Sequence, residues 1–281
     1  IVIVLINNFG FKTGNNEGIK PDFSFHQHGS QLQFGNYGMA FITTMCSWAQ
    51  IFKSTPLEFT DKQLSLIRSL LAEGYRWIFY NGYLDVNAFG RQFSKDIQQI
   101  KALAIGYGLT ELSEADSSNR EVYAQIANEI ASSIDNSTPQ HKHFWCSDYT
   151  VHKSKGWMAT TRMSSTRVIG TESGNGDNLK GNYLADGATY VYVDGNEYEN
   201  IFPVWNWRKI PGITSLQTDE PIIPLTWQGY HNNSDFSGGV TNGKTGIAST
   251  LLNRDGLTAY KSVFYLDDMI ICLGQGINAN S

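Results

Sequence analysis

The sequence predicts an α+β chain in two parts, a helical domain over residues 1–139 and an antiparallel β domain over residues 140–281. Three observations carry this reading. Apolar residues recur at helical spacing in four segments before residue 140. After Asn136-Ser137-Thr138-Pro139 the pattern changes to short alternating runs broken by turn residues. Most of the 27 glycines lie in the second part or in the loop before Tyr37, as a sheet with many turns requires.

The first predicted helix is Met39–Phe52. The second covers Leu64–Tyr80 and is opened by Thr60-Asp61-Lys62-Gln63, where Thr60 can cap and Gln63 stands at the capping-box position. A third runs over Phe93–Ile105, and a fourth follows Ser117-Ser118-Asn119 and continues to Ile134. Connections of about 8–15 residues suit a layered helical array better than a tight bundle. Strands are predicted over Trp157–Ile169, Thr189–Val193 (followed by the Asp194-Gly195 turn), Gly246–Leu252 and Tyr260–Cys272. The last segment stops in mid-sheet, which would leave strand edges unpaired. The sequence therefore reads as truncated at both ends.

Composition narrows the function. With 21 Lys and Arg against 26 Asp and Glu, the net charge is −5. A pI near 5.7 with scattered basic residues excludes a nucleic-acid binder. No apolar run approaches the roughly 18–20 residues that span a bilayer, so membrane insertion is not expected. Ile1–Ile6 is apolar but short and lacks a basic flank, unlike an intact signal peptide. Cys46, Cys146 and Cys272 are odd in number and far apart, which supports neither a disulfide framework nor a zinc cluster.

Four segments concentrate reactive side chains. Asp22–Gly38 holds His26, His28 and Tyr37 among several glycines; only a folded loop can bring His28 and Tyr37 together, since on a straight helix they face opposite ways. Read alone, it serves equally as a turn with a buried histidine. The pairs His26/His28 and His141/His143 would share a strand face suited to Zn²⁺, but no acidic residue stands at a metal-ligand spacing. In Asn81–Lys95, Arg91 opens a predicted helix and Lys95 lies one turn on, an anion site or simply a solvated basic pair. Thr171–Gly181 is rich in carboxylates and amides, which also fits an ordinary loop. Trp205 and Trp207 alternate on an expected strand and so favour core packing, whereas Trp227 lies in a loop where sugar stacking is equally open.

Together these segments resemble polysaccharide lyase family 8, and within it the chondroitin AC lyases. The resemblance runs from Gly18 to Ser281 and rests on Pro-Asp-Phe-Ser-Phe-His-Gln-His-Gly (21–29), Tyr37-Gly38, and Asp-Val-Asn-Ala-Phe-Gly-Arg (85–91). It continues through Phe-Trp-Cys-Ser-Asp-Tyr (144–149), Glu-Ser-Gly-Asn-Gly-Asp-Asn-Leu-Lys-Gly (172–181) and Lys-Ile-Pro-Gly-Ile-Thr-Ser (209–215). It implies the C-terminal helices of an incomplete (α/α) toroid followed by a β-sandwich. It further implies a secreted or periplasmic monomer that cleaves chondroitin or hyaluronan by β-elimination, without cofactor or metal. His28 matches the family's catalytic histidine, Tyr37 the tyrosine that protonates the leaving oxygen, and Arg91 an arginine that supports it. Glu172 matches the carboxylate that orients the histidine or the arginine. Asn175, Lys95, Trp227 and Gln27 are assigned to substrate binding on the same basis. Tyr37 ranks as acid and His28 as base, with a tyrosine-only scheme left open. A xanthan-type lyase or a non-catalytic glycan-binding protein are the alternatives.

The sequence departs from the family in three ways. Relatives are much longer, and their additional N-terminal helices carry an asparagine that neutralises the uronate. Lys95 stands where relatives hold an arginine, which keeps the charge but loses the bidentate fork. Asn206, Arg208 and Gln217 replace the acidic set through which some relatives bind Ca²⁺, so no calcium is expected there, and Arg208 supplies positive charge instead.

Overall fold

The computed structural model describes residues 10–132 and 138–279. The Ile1–Ile6 run and the end of the fourth predicted helix lie outside the described residues. Among the described residues, four α-helices form the first part: α1 (Met39–Ile51), α2 (Asp61–Glu73), α3 (Ile97–Ala115) and α4 (Arg120–Ala131). Two short hairpins accompany them, β1 (Gly18–Ile19) with β2 (Phe25–His26), and β3 (Phe79–Tyr80) with β4 (Tyr83–Leu84).

Helix α2 opens with the capping box in place, Gln63 N donating to Thr60 Oγ1 at 3.4 Å and Thr60 N to Gln63 Oε1 at 2.8 Å. It stops at Glu73, short of the expected Tyr80, because a bare Gly74 is needed there. A Cβ on that residue would lie 2.6 Å from the Phe23 carbonyl, and a 3-10 turn over Tyr75–Ile78 leads into β3 instead. Helix α3 begins four residues later than expected and ends ten later. Asp96 adopts φ +56° and exchanges two hydrogen bonds with the Asn200 side chain, which holds off an earlier start. The helix then runs through Gly106 and Gly108, normally weak helix formers. Gly108 is accommodated because it faces α1 closely: a Cβ there would sit 3.4 Å from the Cys46 side chain.

Two four-stranded antiparallel sheets form the second part. One orders β5 (Gln140–Phe144), β6 (Tyr149–Ser154), β7 (Trp157–Arg162) and β8 (Ala188–Tyr192) in sequence. The other orders β12 (Ile270–Ala279), β11 (Leu257–Tyr265), β10 (Gly246–Arg254) and β9 (Ser237–Thr241). The strand expected over Tyr260–Cys272 is thus two strands, turned at Asp267-Asp268, and the one expected over Trp157–Ile169 ends at Arg162. Trp205 and Trp207 lie on no strand; they follow a 3-10 turn over Phe202–Val204 and pack against each other with ring centroids 5.5 Å apart.

The first sheet is buried on both faces. Tyr149, Val151 and Lys153 pair across to Arg162, Thr160 and Met158 and share one face, which meets the helical part. There Lys153 Nζ donates to the carbonyls of Arg76 and Phe79 at 2.7 and 2.9 Å. The opposite face carries His152, Ala159 and Thr161 toward the second sheet, where Ala159 packs with Ala248, Val263 and Tyr265. One continuous core joins Leu32, Phe34, Phe79 and Leu84 to Phe144, Tyr149, Tyr190 and Tyr192. Helices therefore cover one face of a two-sheet sandwich, and the loops at this junction carry the polar cluster described next.

Candidate active site

His28 and Tyr37 converge through two local devices. The chain leaves β2 and turns back at His28 (φ +57°) and Gly29 (φ +83°), so that Leu32 bridges to His26. A single π-helical turn over Phe34–Gly38 then presents Tyr37. Gly38 closes it, because a Cβ there would stand 2.8 Å from the Tyr75 hydroxyl. The His28 and Tyr37 rings meet edge to face with centroids 4.8 Å apart.

Arg91 arrives from the β4–α3 connection, after a 3-10 turn over Val86–Ala88 and Gly90 at φ +70°. Its Nη2 donates to the Tyr37 hydroxyl at 2.9 Å and its Nη1 to Glu172 Oε1. Burial opposes the guanidinium charge, but the bonds to Tyr37 and Glu172 more than offset it and hold its pKa above the ordinary value.

Glu172 comes from the β domain and is fully buried. Backbone bonds seat its segment between two loops: Ile169 N donates to Ser30 O at 3.0 Å, and Gly170 N to Tyr230 O at 2.8 Å. Asn178 Nδ2 donates to the Glu172 carbonyl at 2.8 Å, closing the segment on itself. The carboxylate then accepts from Arg91 on Oε1, and from His28 Nδ1 (2.7 Å) and Gln31 Nε2 (3.1 Å) on Oε2. With Nδ1 on the carboxylate, His28 keeps Nε2 for another partner. Trp227, more than half exposed, stands over this group with its ring centroid 5.7 Å from that of His28.

The remaining expected site residues are placed differently. Asn175 (φ +56°) occupies the exposed tip of the turn from Gly174 to Asp177. Lys95 does not share a helical face with Arg91, because α3 starts only at Ile97. Its side chain is 85% exposed, 4.0 Å from the Asp96 carboxylate. It borders a cavity of about 560 Å³ together with Lys180, Asn178 and Trp207. The Gln27 side chain donates to Glu17. The first His-x-His pair diverges, since His26 bonds Ser147 at 2.8 Å while His28 bonds Glu172. His141 and His143 share the face of β5 that meets the second sheet, where His143 bonds Thr150 at 2.8 Å. Among the described residues no cluster of three or more His, Cys, Asp or Glu could hold a metal. Arg208 Nη2 donates to the Glu220 carbonyl at 2.9 Å, and Gln217 Nε2 to the Arg208 carbonyl at 3.0 Å. Sequence reasoning passed over Gln31 and Asn178, since a lone amide carries no signature until its partner is known.

Two family models match. The N-terminal alpha-helical domain of polysaccharide lyase family 8 covers residues 7–140, and the super-sandwich domain of that family covers residues 139–281. The chain is 38% identical over 271 residues to the chondroitinase-AC of Pedobacter heparinus, covering 94% of this chain and 38% of that protein. To the xanthan lyase of Bacillus sp. (strain GL1) it is 26% identical over 306 residues, covering 97% of this chain and 32% of the relative. It superposes on a chondroitinase AC lyase solved with oligosaccharides at a TM-score of 0.90 and 36% identity, over 100% of this chain and 42% of that one. It thus spans well under half the length of these relatives. Matched along both its helical and its sandwich part, the chain belongs to polysaccharide lyase family 8.

Proposed function

We propose that the protein cleaves a uronic-acid-containing glycosaminoglycan, of the chondroitin or hyaluronan class, by β-elimination. The observation that carries this reading is the connected group Tyr37–Arg91–Glu172–His28 beneath the exposed Trp227. Its parts match the demands of the reaction. A base must take the C5 proton of the uronate, the C4–O4 bond must break as the C4=C5 double bond forms, and O4 must leave with a proton. His28 serves as the base through Nε2, because Glu172 engages its Nδ1. Tyr37 protonates the departing O4. Arg91 bonds the phenol oxygen and steadies the negative charge that develops there as the proton leaves. Trp227 offers its face to a sugar ring, and the exposed amine of Lys95 and amide of Asn175 contact the polymer alongside.

We take the catalyst to act as a monomer. Among the described residues no helix is long and apolar enough to cross a membrane. Polymers of this class lie outside the cytoplasm, so we place the protein in a secreted or periplasmic setting. An exposed Trp227 would equally suit a glycan-binding protein without activity, and one experiment separates the two. The protein as its gene encodes it is incubated with chondroitin, hyaluronan and xanthan while ultraviolet absorbance follows the unsaturated uronate. A rise that survives chelator and falls by at least about 10²-fold in Tyr37→Phe is expected. Reducing ends without absorbance would mean hydrolysis and overturn the mechanism. Polymer binding without cleavage would leave the binding protein.

A further inference from the structure

Glu172 is shared among three side-chain donors, of which Gln31 has no part in the scheme above. We propose that Gln31 is a positioning residue: its amide fixes Glu172 Oε2 against His28 Nδ1 and sets how strongly the carboxylate holds the imidazole's proton. The inference rests on the proposed role of His28.

Four observations support it. Gln31 is fully buried, and its Nε2 lies 3.1 Å from the same Oε2 that His28 Nδ1 approaches at 2.7 Å. Its Oε1 is buried with no protein partner among the described residues, so the side chain's one polar engagement is with Glu172. Its backbone stands at the junction of the two domains, bridging to Ile169 three residues before Glu172 and accepting from Gln27 N at 3.3 Å across the His28 turn. Arg91 occupies Oε1, so Gln31 is the second neutral-to-anion donor that completes the carboxylate's shell on the histidine side.

The consequence follows from charge. An N–H donated to Oε2 draws negative charge away from the His28 contact and forbids the carboxylate from rotating that oxygen elsewhere. Without it, Oε2 attracts the imidazolium more strongly, and His28 remains protonated to higher pH. The charged and titratable groups facing this ring are Glu172 on its Nδ1, Tyr37 at its edge, and Arg91 behind both; Glu17 bonds the adjacent Gly29 N at 3.1 Å. None is altered by substituting Gln31.

The test uses Gln31→Met, which keeps length and removes the donor, and Gln31→Glu, which keeps shape and replaces the donor with an acceptor. The His28 ring is followed by ¹⁵N NMR against pH, assigned through His28→Asn, and steady-state kinetics are measured on chondroitin. In Gln31→Met the midpoint of the His28 titration and the acid limb of kcat/KM are expected to move up together. At pH 7, kcat should fall about tenfold with KM nearly unchanged. Gln31→Glu should move both further. A fall in kcat with an unmoved titration in both variants would reduce Gln31 to packing and overturn the inference. A wild type without lyase activity but with the titration shift would overturn the proposed function and leave the Gln31–Glu172–His28 coupling standing.

Discussion

At Arg91 one guanidinium spends separate nitrogens on Glu172 and on Tyr37. A lysine could satisfy one acceptor but not both along the same plane. We expect Arg91→Lys to lower kcat/KM by about 10²-fold, chiefly through kcat, because the phenol oxygen loses the charge that supports it in the transition state. Initial rates of ultraviolet absorbance over a range of chondroitin concentrations check this. A rise in KM alone would assign Arg91 to ground-state binding instead. Residue-scale exposure also separates the proposed roles: Glu172 is wholly inaccessible, whereas Trp227 and Lys95 stand open to solvent.

Strands β5 and β6 carry three buried histidines, and β2 carries a fourth. Burial lowers the pKa of His141 to about 3 and of His143 and His152 to about 4; it lowers His26 to about 3, assisted by the nearby charges of Lys20 and Arg162. The unfolded chain titrates these rings near the ordinary 6.5 and so binds more protons than the folded one between about pH 6.5 and 4. The stability they confer is complete above pH 6.5 and is lost as pH falls toward 4 and 3, by at most about 1.4 kcal/mol per pH unit for each ring. Urea midpoints measured from pH 8 to pH 4 should therefore decline steeply below 6.5. In His141→Leu that slope should be shallower by up to one proton's worth. A midpoint flat to pH 4 would contradict the burial of these strands.

At the scale of the molecule, the two parts are joined through Asp85. This buried carboxylate accepts from the Tyr149 and Tyr192 hydroxyls at 2.6 and 2.7 Å and from Thr160 at 3.0 Å, all three on the first sheet. Burial pushes its pKa up while those bonds pull it down. Asp85→Ala would leave three buried hydroxyls without their acceptor, at a cost of about 3 kcal/mol or more. The expected result is a lower urea midpoint together with reduced activity, since Arg91 follows Asp85 by six residues and Glu172 lies across the same junction. A variant with wild-type stability would show that the junction holds by apolar packing alone.

The helix-then-strand order was readable from the chain, because a 3.6-residue apolar period and an alternating one leave different marks. The capping box of α2 and the Gly/Asn turns needed only neighbours in sequence. So did the singling out of the segments around His28, Tyr37, Arg91 and Glu172, which motif similarity marked. What failed were the elements whose environment is remote. Strand β6, with Lys153 and His152 on opposite faces, does not alternate apolar with polar, since one face meets the helices and the other the second sheet. Helix α3 starts where Asn200, 104 residues away, bonds Asp96. The meeting of His28 with Glu172 spans 144 residues and that of Arg91 with Glu172 spans 81. Local sequence carries propensity and chemistry, whereas the pairing of a buried carboxylate with its donors is decided by which distant backbones the core brings side by side.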